Sequence, residues 1–170
     1  MQSYSEDLFR RFEELGISYE NHSHPAVFTV EEAQQHCSDL PGAHCKNLFF
    51  KDKRSAIWLA VLLDAREVKI KELQKAMGAA RLSFGKPELL MEVLGVIPGA
   101  VTPLGLINDS ENRVNVFLDT EIMAADLVNF HPLRNDATTA ITPPDLRRFI
   151  ADCGHNAQDL QFPLGTVDGA

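Results

Sequence analysis

The sequence predicts an α+β fold, in which a mixed sheet packs against helices in a single domain over residues 1–170. The 170 residues are 45% hydrophobic and 24% charged, which is typical of one globular domain with its own core. Amphipathic helical segments alternate with short apolar segments, as expected when helices cover a sheet. The apolar segment 56–63 lacks the alternation of a half-exposed strand and is therefore expected at the centre of the sheet.

In the first half of the chain, capping boxes predict where helices begin. Ser3 with Glu6, and Thr29 with Glu32, have the spacing in which two side chains satisfy the free backbone groups of a first helical turn. Gly16 supplies a left-handed cap at the end of the first helix. The elements predicted in this half are a helix from the Ser3 box to Leu15, a strand over 17–20, a helix from 29 to about 35, a hairpin of strands over 46–51 and 55–63, and helices over 68–77 and 87–94.

In the second half, prolines and glycines mark the boundaries. The segment 98–105 has two prolines and two glycines in eight residues, so it is predicted to be neither a helix nor a central strand. Thr142, followed by two prolines, starts the last helix, which Gly154 ends. The elements predicted in this half are a strand over 112–118, a short helix over 119–125, paired strands over 127–130 and 138–141, the last helix, and an irregular tail over about 155–170.

Composition excludes several classes of protein. The longest apolar segment has eight residues, far fewer than the roughly 20 that span a bilayer. The polar segment 1–10 lacks the apolar centre of a secretion signal. Three cysteines are an odd number and too few for a disulfide framework, which favours a reducing compartment. We therefore expect a soluble, cytoplasmic protein with no membrane partner and no disulfide framework.

Charge is distributed unevenly in this acidic protein, whose net charge is −8. Residues 41–90 (the basic zone) carry ten Lys or Arg and five acidic residues, a local charge of +5. The rest of the chain carries six basic and nineteen acidic residues, a charge of −13. The basic zone can bind a few phosphates at one place or can be a set of solvated faces, and the acidic remainder argues against general binding to DNA.

The motifs of common cofactor and metal enzymes are missing from the sequence. It has no Gly-rich phosphate loop, no G-x-S-x-G turn, no H-E-x-x-H helix and no C-x-x-C pair. The dipeptides His36-Cys37 and His44-Cys45 offer soft ligands, but their eight-residue step is not a usual zinc spacing. No metal or cofactor site is predicted.

Three features carry polar groups that can act on a ligand, and each also has a structural interpretation. Lys46 and Asn47 at the start of a strand can hold a phosphate or a carbonyl oxygen, but an ordinary exposed pair would look the same. Glycines in the loop 99–105 can bring backbone amides close to a ligand, or can simply form a turn. His131, fixed by Pro132, can exchange a proton near neutral pH or make a structural hydrogen bond.

Four segments combine in one order along the chain. They are HPAVFTVEEA at 24–33, KNLF at 46–49, GAVTPLG at 99–105 and VNFHPL at 128–133. This combination resembles the editing-domain family of prolyl-tRNA synthetase and its free-standing relatives. The resemblance covers about residues 5–152 and is greatest to the free-standing alanyl-tRNA(Pro) deacylases.

The resemblance implies an enzyme that hydrolyses the ester between a wrong amino acid and the 3′-terminal adenosine of a tRNA. It implies a mixed, strongly curved, barrel-like sheet with flanking helices, and it implies no cofactor. The expected partners are a tRNA acceptor end that carries a small amino acid and, in addition, prolyl-tRNA synthetase. Ala-tRNA(Pro) is the expected substrate, and Pro-tRNA(Pro) is spared because proline is too large for the pocket.

The resemblance also implies roles for individual residues. Lys46 anchors oxygen atoms of the tRNA terminus, Asn47 positions the aminoacyl group and its carbonyl, and His131 lies at the far wall of the site. Backbone amides of 99–101 receive the developing oxyanion. A ribose hydroxyl of the substrate helps to activate water, so no Ser or Cys nucleophile is required. The substrate-binding residues implied are Val27, Phe28, Thr29, Gly99, Ala100, Val101, Thr102 and Pro103.

Two expectations concern the neighbours of Lys46. Cys45 points away from Lys46 in an extended strand and is not expected in the pocket that receives the lysine. The basic zone is expected to contact the tRNA acceptor end through Lys51, Lys53 and Arg54, which the hairpin places next to Lys46.

Two alternatives to this function are open. One is a deacylase for another small aminoacyl ester, such as Cys-tRNA or Ser-tRNA. The other is a noncatalytic module that binds tRNA or a synthetase. The joint presence of Lys46, Asn47 and His131 favours catalysis.

Overall fold

The computed structural model describes residues 4–26, 29, 31 and 40–164. The α-helices in these residues are Ser5–Leu15 (α1), Ile70–Met77 (α2), Pro87–Leu94 (α3), Thr120–Met123 (α4) and Pro143–Asp152 (α5). The 3₁₀ helices Pro98–Ala100 and Pro103–Asn108 lie between α3 and the next strand. The strands are Glu20–Ser23 (β1), Ala43–Asp52 (β2), Ile57–Leu63 (β3), Leu82–Phe84 (β4), Val114–Asp119 (β5), Val128–Phe130 (β6), Ala137–Ile141 (β7) and Gln158–Leu160 (β8).

The described strands form one mixed sheet. Across the sheet their order is β1-β7-β6-β2-β3-β5-β8, and β4 pairs with β2 outside this order. The pairs β1/β7, β6/β7, β2/β3 and β2/β4 are antiparallel, whereas β2/β6, β3/β5 and β5/β8 are parallel. The sheet is curved but open, and its order ends at β1 on one side and β8 on the other. The predicted α+β class with a mixed, curved sheet is confirmed.

The pairing of β2 leaves an opening in the sheet. On one side, β3 pairs with residues 45–51. On the other side, β6 pairs only at 43–44 and β4 only at 50–52. On this second edge, between β6 and β4, positions 45–48 have no partner strand among those described (the β2 gap). An unpaired strand edge leaves groups free to meet a ligand.

Both faces of the sheet are buried, and successive side chains alternate between them. The larger core lies on the face of Phe49 and Val61, against α1, α3 and α5. The smaller core lies on the face of Phe50 and Leu62, against α2. β3 is buried on both faces apart from Leu63, which confirms the central position expected from its continuous apolar sequence.

Several predicted elements agree with the structure. The helix over 87–94, the hairpin of β2 with β3 and the pairing of β6 with β7 are all observed. The first strand lies at 20–23 rather than 17–20, because the N–H of Ile17 donates to the oxygen of Phe12 and completes the end of α1. Other bounds differ by one to three residues, as helix and strand ends commonly do.

Three predictions about irregular segments and helices need correction or lie outside the described residues. Pro98 and Pro103 each begin a 3₁₀ helix, although no helix was expected there, because a missing N–H is harmless at a first helical position. Residues 158–160 form β8 within the tail that was predicted to be irregular. β4 is also unpredicted, and both strands are too short to show alternation. Most of the predicted helix 29–35 lies outside the described residues.

Candidate active site

Asn47 lies at the β2 gap, with its side chain on the face of the larger core. Its Nδ2 donates a hydrogen bond to the backbone oxygen of Val101 at 3.0 Å. Because a carbonyl only accepts, the amide nitrogen must face Val101, which leaves Oδ1 as an acceptor. Oδ1 is buried and has no partner among the described residues. An unpaired buried polar atom destabilises a protein by about 1–3 kcal/mol, so Oδ1 is a candidate contact for a ligand that donates a hydrogen bond.

The loop that is hydrogen-bonded to Asn47 has two backbone N–H groups with no acceptor among the described residues. The N–H of Ala100 is occupied, because it donates to the oxygen of Ile97 at 2.9 Å. Gly99 and Val101 donate to no acceptor in the described part of the chain. Of the three amides that the resemblance implies for an oxyanion, only these two are therefore available.

Thr102 and Pro103 are buried and begin the second 3₁₀ helix. The hydroxyl oxygen of Thr102 accepts a hydrogen bond from the N–H of Leu104 at 3.1 Å, so this side chain caps the helix. Gly105 packs against the end of α3, where a Cβ atom would lie 2.9 Å from Cβ of Leu94. These contacts therefore stabilise the conformation of the loop, apart from any contribution to a ligand.

Lys46 points away from Asn47. Its partner across the strand pair is Leu62 of the smaller core, whereas Asn47 lies opposite Val61 of the larger core. The ammonium nitrogen of Lys46 donates to the backbone oxygen of Arg66. The sequence suggests one polar pair, but alternation along the strand places the two side chains on opposite faces. The structure does not bring them together.

Arg66 accepts the hydrogen bond from Lys46 at its backbone oxygen, and its guanidinium forms an ion pair with Asp119. Its Nε and Nη2 donate to the two carboxylate oxygens of Asp119, each at 3.1 Å, and Nη2 also lies 3.0 Å from Glu121. Asp119 is fully buried, and the guanidinium of Arg66 lies 4.0 Å from the centre of the Phe162 ring. Sequence reasoning missed this cluster, and its only signal was a carboxylate directly after an apolar strand.

Cys45 lies on the same face as Asn47 and packs against the larger core. Burial, and after it the charges of Asp119 and Asp64, raises the pKa of its thiol. A thiol with a raised pKa is protonated at neutral pH and is a poor nucleophile. Cys45 is therefore unsuited to attack an ester.

His131 directly follows β6 and is oriented by β7. Its Nδ1 lies 3.0 Å from the backbone oxygen of Ala137, so Nδ1 carries the proton and Nε2 remains an acceptor. Burial lowers the pKa of His131 and outweighs the hydrogen bond to Ala137, which acts in the opposite direction, so the ring is neutral at pH 7. The His24 ring lies 6.2 Å away, and its Nε2 is 2.8 Å from Thr138 Oγ1. His24 was not predicted as a site residue, although it opens one of the four segments.

The structure describes only some of the other residues that were predicted to line the pocket. Thr29 is exposed, whereas Val27 and Phe28 lie outside the described residues. The hydrogen bond of His131 goes to β7, so no described bond links His131 to Asn47 or to the loop 99–103.

The predicted tRNA-binding residues lie at the far end of β2 rather than next to Lys46. Lys51 lies five positions after Lys46, about 17 Å along a strand, and this odd step puts their side chains on opposite faces. Lys51 and Lys53 line a cavity of about 820 Å³ between β4 and α3. Arg54 lies in the β2–β3 turn, where its N–H donates to Asp52 at 2.9 Å.

Residues 4–26, 29, 31 and 40–164 contain neither a cluster of metal ligands nor a helix that could span a membrane. No three His, Cys, Asp or Glu side chains there are arranged as a metal site. No helix in these residues is long and apolar enough to cross a membrane. The His36-Cys37 dipeptide lies outside them.

Known proteins share both the sequence pattern and the fold. The profile of the aminoacyl-tRNA editing domain matches residues 24–149. The "Prolyl-tRNA synthetase associated domain-containing protein 1" of Danio rerio is 40% identical over 162 residues, which cover 92% of this chain and 88% of that protein. The "Prolyl-tRNA editing protein ProX" of Acetoanaerobium sticklandii is 29% identical over 156 residues, which cover 91% of this chain and 95% of that protein.

A solved structure extends the similarity to three dimensions. The crystal structure of a candidate trans-editing enzyme for prolyl tRNA synthetase has a TM-score of 0.68 and 20% identity, and covers 94% of this chain and 98% of that chain. At this identity the likeness shows a common fold. The profile match and the 40% identity of the Danio rerio protein establish more than the fold. On these grounds the chain belongs to the family of aminoacyl-tRNA editing domains.

Proposed function

We propose that this chain is a hydrolase that acts in trans on mischarged Ala-tRNA(Pro) and spares Pro-tRNA(Pro). Membership of the editing-domain family supports a site for the aminoacyl end of a tRNA. The observation that carries the proposal is Asn47, which is bonded to Val101 and keeps a buried, unpaired acceptor oxygen at the β2 gap. Prolyl-tRNA synthetase, which the names of the relatives contain, is the proposed source of the mischarged tRNA.

The proposed reaction is the addition of water to the carbonyl carbon of the ester. The bond between this carbon and the ribose oxygen then breaks, alanine leaves as the free acid, and the ribose oxygen takes up a proton. Negative charge develops on the carbonyl oxygen in the transition state. The N–H groups of Gly99 and Val101 are available to this oxygen, and one such donor is typically worth about 2.7–4 kcal/mol.

Asn47 is proposed to hold the α-ammonium group of the substrate. Its unpaired buried atom is an acceptor, so the ammonium group fits it better than the carbonyl oxygen expected from the sequence. The bond from Nδ2 to Val101 links this contact to the loop that carries the oxyanion donors. Proline has a larger side chain and a nitrogen within its ring, and both features disfavour Pro-tRNA in a pocket that fits alanine.

Lys46 and Asn47 face opposite sides, so one ligand can reach both only across an open edge of β2. The β2 gap supplies that edge. In this proposal the aminoacyl group lies on the Asn47 side and a phosphate oxygen of the tRNA terminus on the Lys46 side. The ammonium group of Lys46 has three donors and uses one on Arg66, so two are available for the phosphate.

His131 is proposed to act as a neutral acceptor at the wall of the site. Its Nδ1 is committed to Ala137, and its lowered pKa keeps Nε2 unprotonated at pH 7. A neutral Nε2 can accept a hydrogen bond from a ribose hydroxyl or from the attacking water.

The test is to incubate the full chain with a panel of aminoacyl-tRNAs and to follow loss of the ester. We expect Ala-tRNA(Pro) to be hydrolysed much faster than Pro-tRNA(Pro). Equal hydrolysis of the two contradicts the proposal, and faster hydrolysis of Cys-tRNA or Ser-tRNA overturns the substrate while retaining the reaction. Hydrolysis of none, with tRNA still bound, identifies a noncatalytic binding module.

A further inference from the structure

A cavity at the far end of β2 is not used by the proposed reaction. It has a volume of about 820 Å³ and opens between β4, the last residues of β2 and the first turns of α3. Four cations and one aromatic ring line it, and these define the basic cavity: Lys51, Lys53, Arg81, Phe84 and Lys86.

The basic cavity carries a small excess of positive charge, because four cations and three carboxylates line it. Its four cations form no ion pair with an acidic residue in the described part of the chain. Two of the acids beside them are engaged elsewhere: buried Asp52 accepts from Trp58 Nε1 at 2.9 Å, and Glu92 pairs with Arg113 at 2.7 Å. Glu88 is the remaining lining acid. Of these lining acids, Glu92 is paired with a cation outside the cavity, whereas Asp52 and Glu88 keep their charges, so a protein of net charge −8 presents a small local excess of positive charge here.

Phe84 gives the basic cavity an exposed flat surface. The residue is 62% exposed to solvent. Its ring lies 4.9 Å from the ring of the fully buried Phe50, centre to centre, so one side is supported by the smaller core. In proteins that bind single-stranded nucleic acid, aromatic rings stack on the bases and nearby cations attract the phosphates. The basic cavity has both kinds of group.

The basic cavity lies within a short reach of the candidate active site along two elements. Asn47 and Lys51 lie on the same face of β2, about 13 Å apart along the strand. The eight residues of α3 span about 12 Å, with the cavity beside its first turns and the loop 99–103 after its end. A single strand that ends at Asn47 can therefore cross the basic cavity a few nucleotides before its end.

We propose that the basic cavity binds the unpaired nucleotides that precede the aminoacylated 3′ nucleotide of a tRNA. Phe84 stacks on a base, and the four cations contact phosphates. The identity of the RNA rests on the proposed function, whereas the ligand class, an unpaired RNA 3′ end, rests on the cavity itself.

The first test measures binding of uncharged RNA to the full chain by fluorescence anisotropy. An acceptor-stem hairpin with four unpaired 3′ nucleotides is compared with the same hairpin cut to a blunt end. We expect Phe84→Ala to weaken binding of the first RNA by about tenfold and to leave the blunt RNA unaffected. Phe84→Tyr keeps a ring and should retain affinity. Tyr4→Ala removes an aromatic that is 63% exposed at the start of α1 and is the matched control.

The second test separates charge from stacking. Each phosphate contact contributes roughly 0.7 to the slope of log K against log salt for a single strand, so Lys51→Gln with Lys86→Gln should lower the slope by about 1.4. Lys71→Gln with Lys75→Gln removes the same charge from exposed positions on α2 and should leave the slope unchanged.

The outcomes distinguish this proposal from the proposed function, because uncharged RNA has no ester to hydrolyse. If Phe84→Ala binds both RNAs as the unchanged protein does, the proposal is overturned, even when Ala-tRNA(Pro) is deacylated normally. It is also overturned if the cavity and α2 charge variants behave alike, and a protein partner then becomes the better occupant. If no aminoacyl-tRNA is hydrolysed while Phe84-dependent binding persists, the proposed function fails and the basic cavity retains its assignment.

Discussion

Asn47 and Lys46 are neighbours in β2, yet they have opposite relations to their surroundings. Asn47 uses a donor on Val101 and keeps a buried acceptor unpaired, whereas Lys46 uses a donor on Arg66 and keeps two donors. The Asn47 face is covered by the larger core, and the Lys46 face leads to the ion pair of Arg66 with Asp119. One step along a strand therefore changes both the surroundings of a side chain and the chemistry that it can perform.

The largest effect is expected for Asn47→Ala, which removes the unpaired acceptor and the bond to Val101. The rate of Ala-tRNA(Pro) deacylation should fall by about a hundredfold, because both the ammonium contact and the loop position are lost in the transition state. Single-turnover kinetics measure this change. Asn115→Ala is the matched control, since Asn115 also donates to a backbone oxygen but lies in β5. A fully active Asn47→Ala, or one that unfolds, contradicts the role.

Lys46→Ala should act mainly on substrate binding. Loss of one charge-assisted contact to phosphate should raise KM between about ten- and a hundredfold, with a smaller change in kcat. Steady-state kinetics on Ala-tRNA(Pro) separate the two constants. If kcat falls and KM does not change, Lys46 acts on the reacting atoms and the contrast between the two faces is wrong.

Arg66→Lys tests whether Arg66 acts through Lys46. The variant keeps the positive charge but loses the bidentate contact with Asp119. We expect KM to rise a few-fold, and this rise should disappear in a background that already carries Lys46→Ala. Additive effects in the double variant would show that Arg66 does not act through Lys46. Asp119→Asn breaks a buried ion pair and should reduce stability by about 3 kcal/mol.

The lowered pKa of His131 predicts a modest effect of pH on the stability of the protein. Its pKa is lowered by burial in the folded chain, so the unfolded chain takes up a proton at a higher pH than the folded one. Stability should therefore be unaffected by His131 well above pH 6.5 and should fall as the pH drops below about 6.5. Thermal unfolding of the unchanged protein and of His131→Gln between pH 8 and 5 measures the difference. Identical pH profiles would contradict a depressed pKa.

The smallest effect is expected at the other end of β2. Changing Lys51, Lys53 and Arg54 together to Gln should weaken tRNA binding without altering the preference for alanine, because phosphate contact and pocket size act independently. Arg54→Gln alone should have little effect, since Arg54 does not line the basic cavity. Anisotropy with tRNA at several salt concentrations measures both. An unchanged affinity and salt slope in the triple variant means that these cations form only a solvated surface.

Features that depend on neighbouring residues could be predicted from the amino-acid sequence. The α3 helix at 87–94 was predicted with its bounds because Pro87 and Gly95 are local signals for its start and end. The hairpin of β2 with β3 followed from two apolar segments and a polar turn. The order of four segments also identified the editing-domain family, which the profile match bears out.

The contacts between these elements could not be predicted from the sequence and are known from the folded chain. The bond of Asn47 to Val101 joins residues 54 apart, and the ion pair of Arg66 with Asp119 joins residues 53 apart. The strands β4 and β8 form through pairing with β2 and β5, which no local pattern encodes at three residues. The faces of Lys46 and Asn47, the β2 gap and the basic cavity all depend on which distant strand lies beside β2. Periodicity in one segment carries no information about such long-range contacts, and for that physical reason they are visible only in the folded chain.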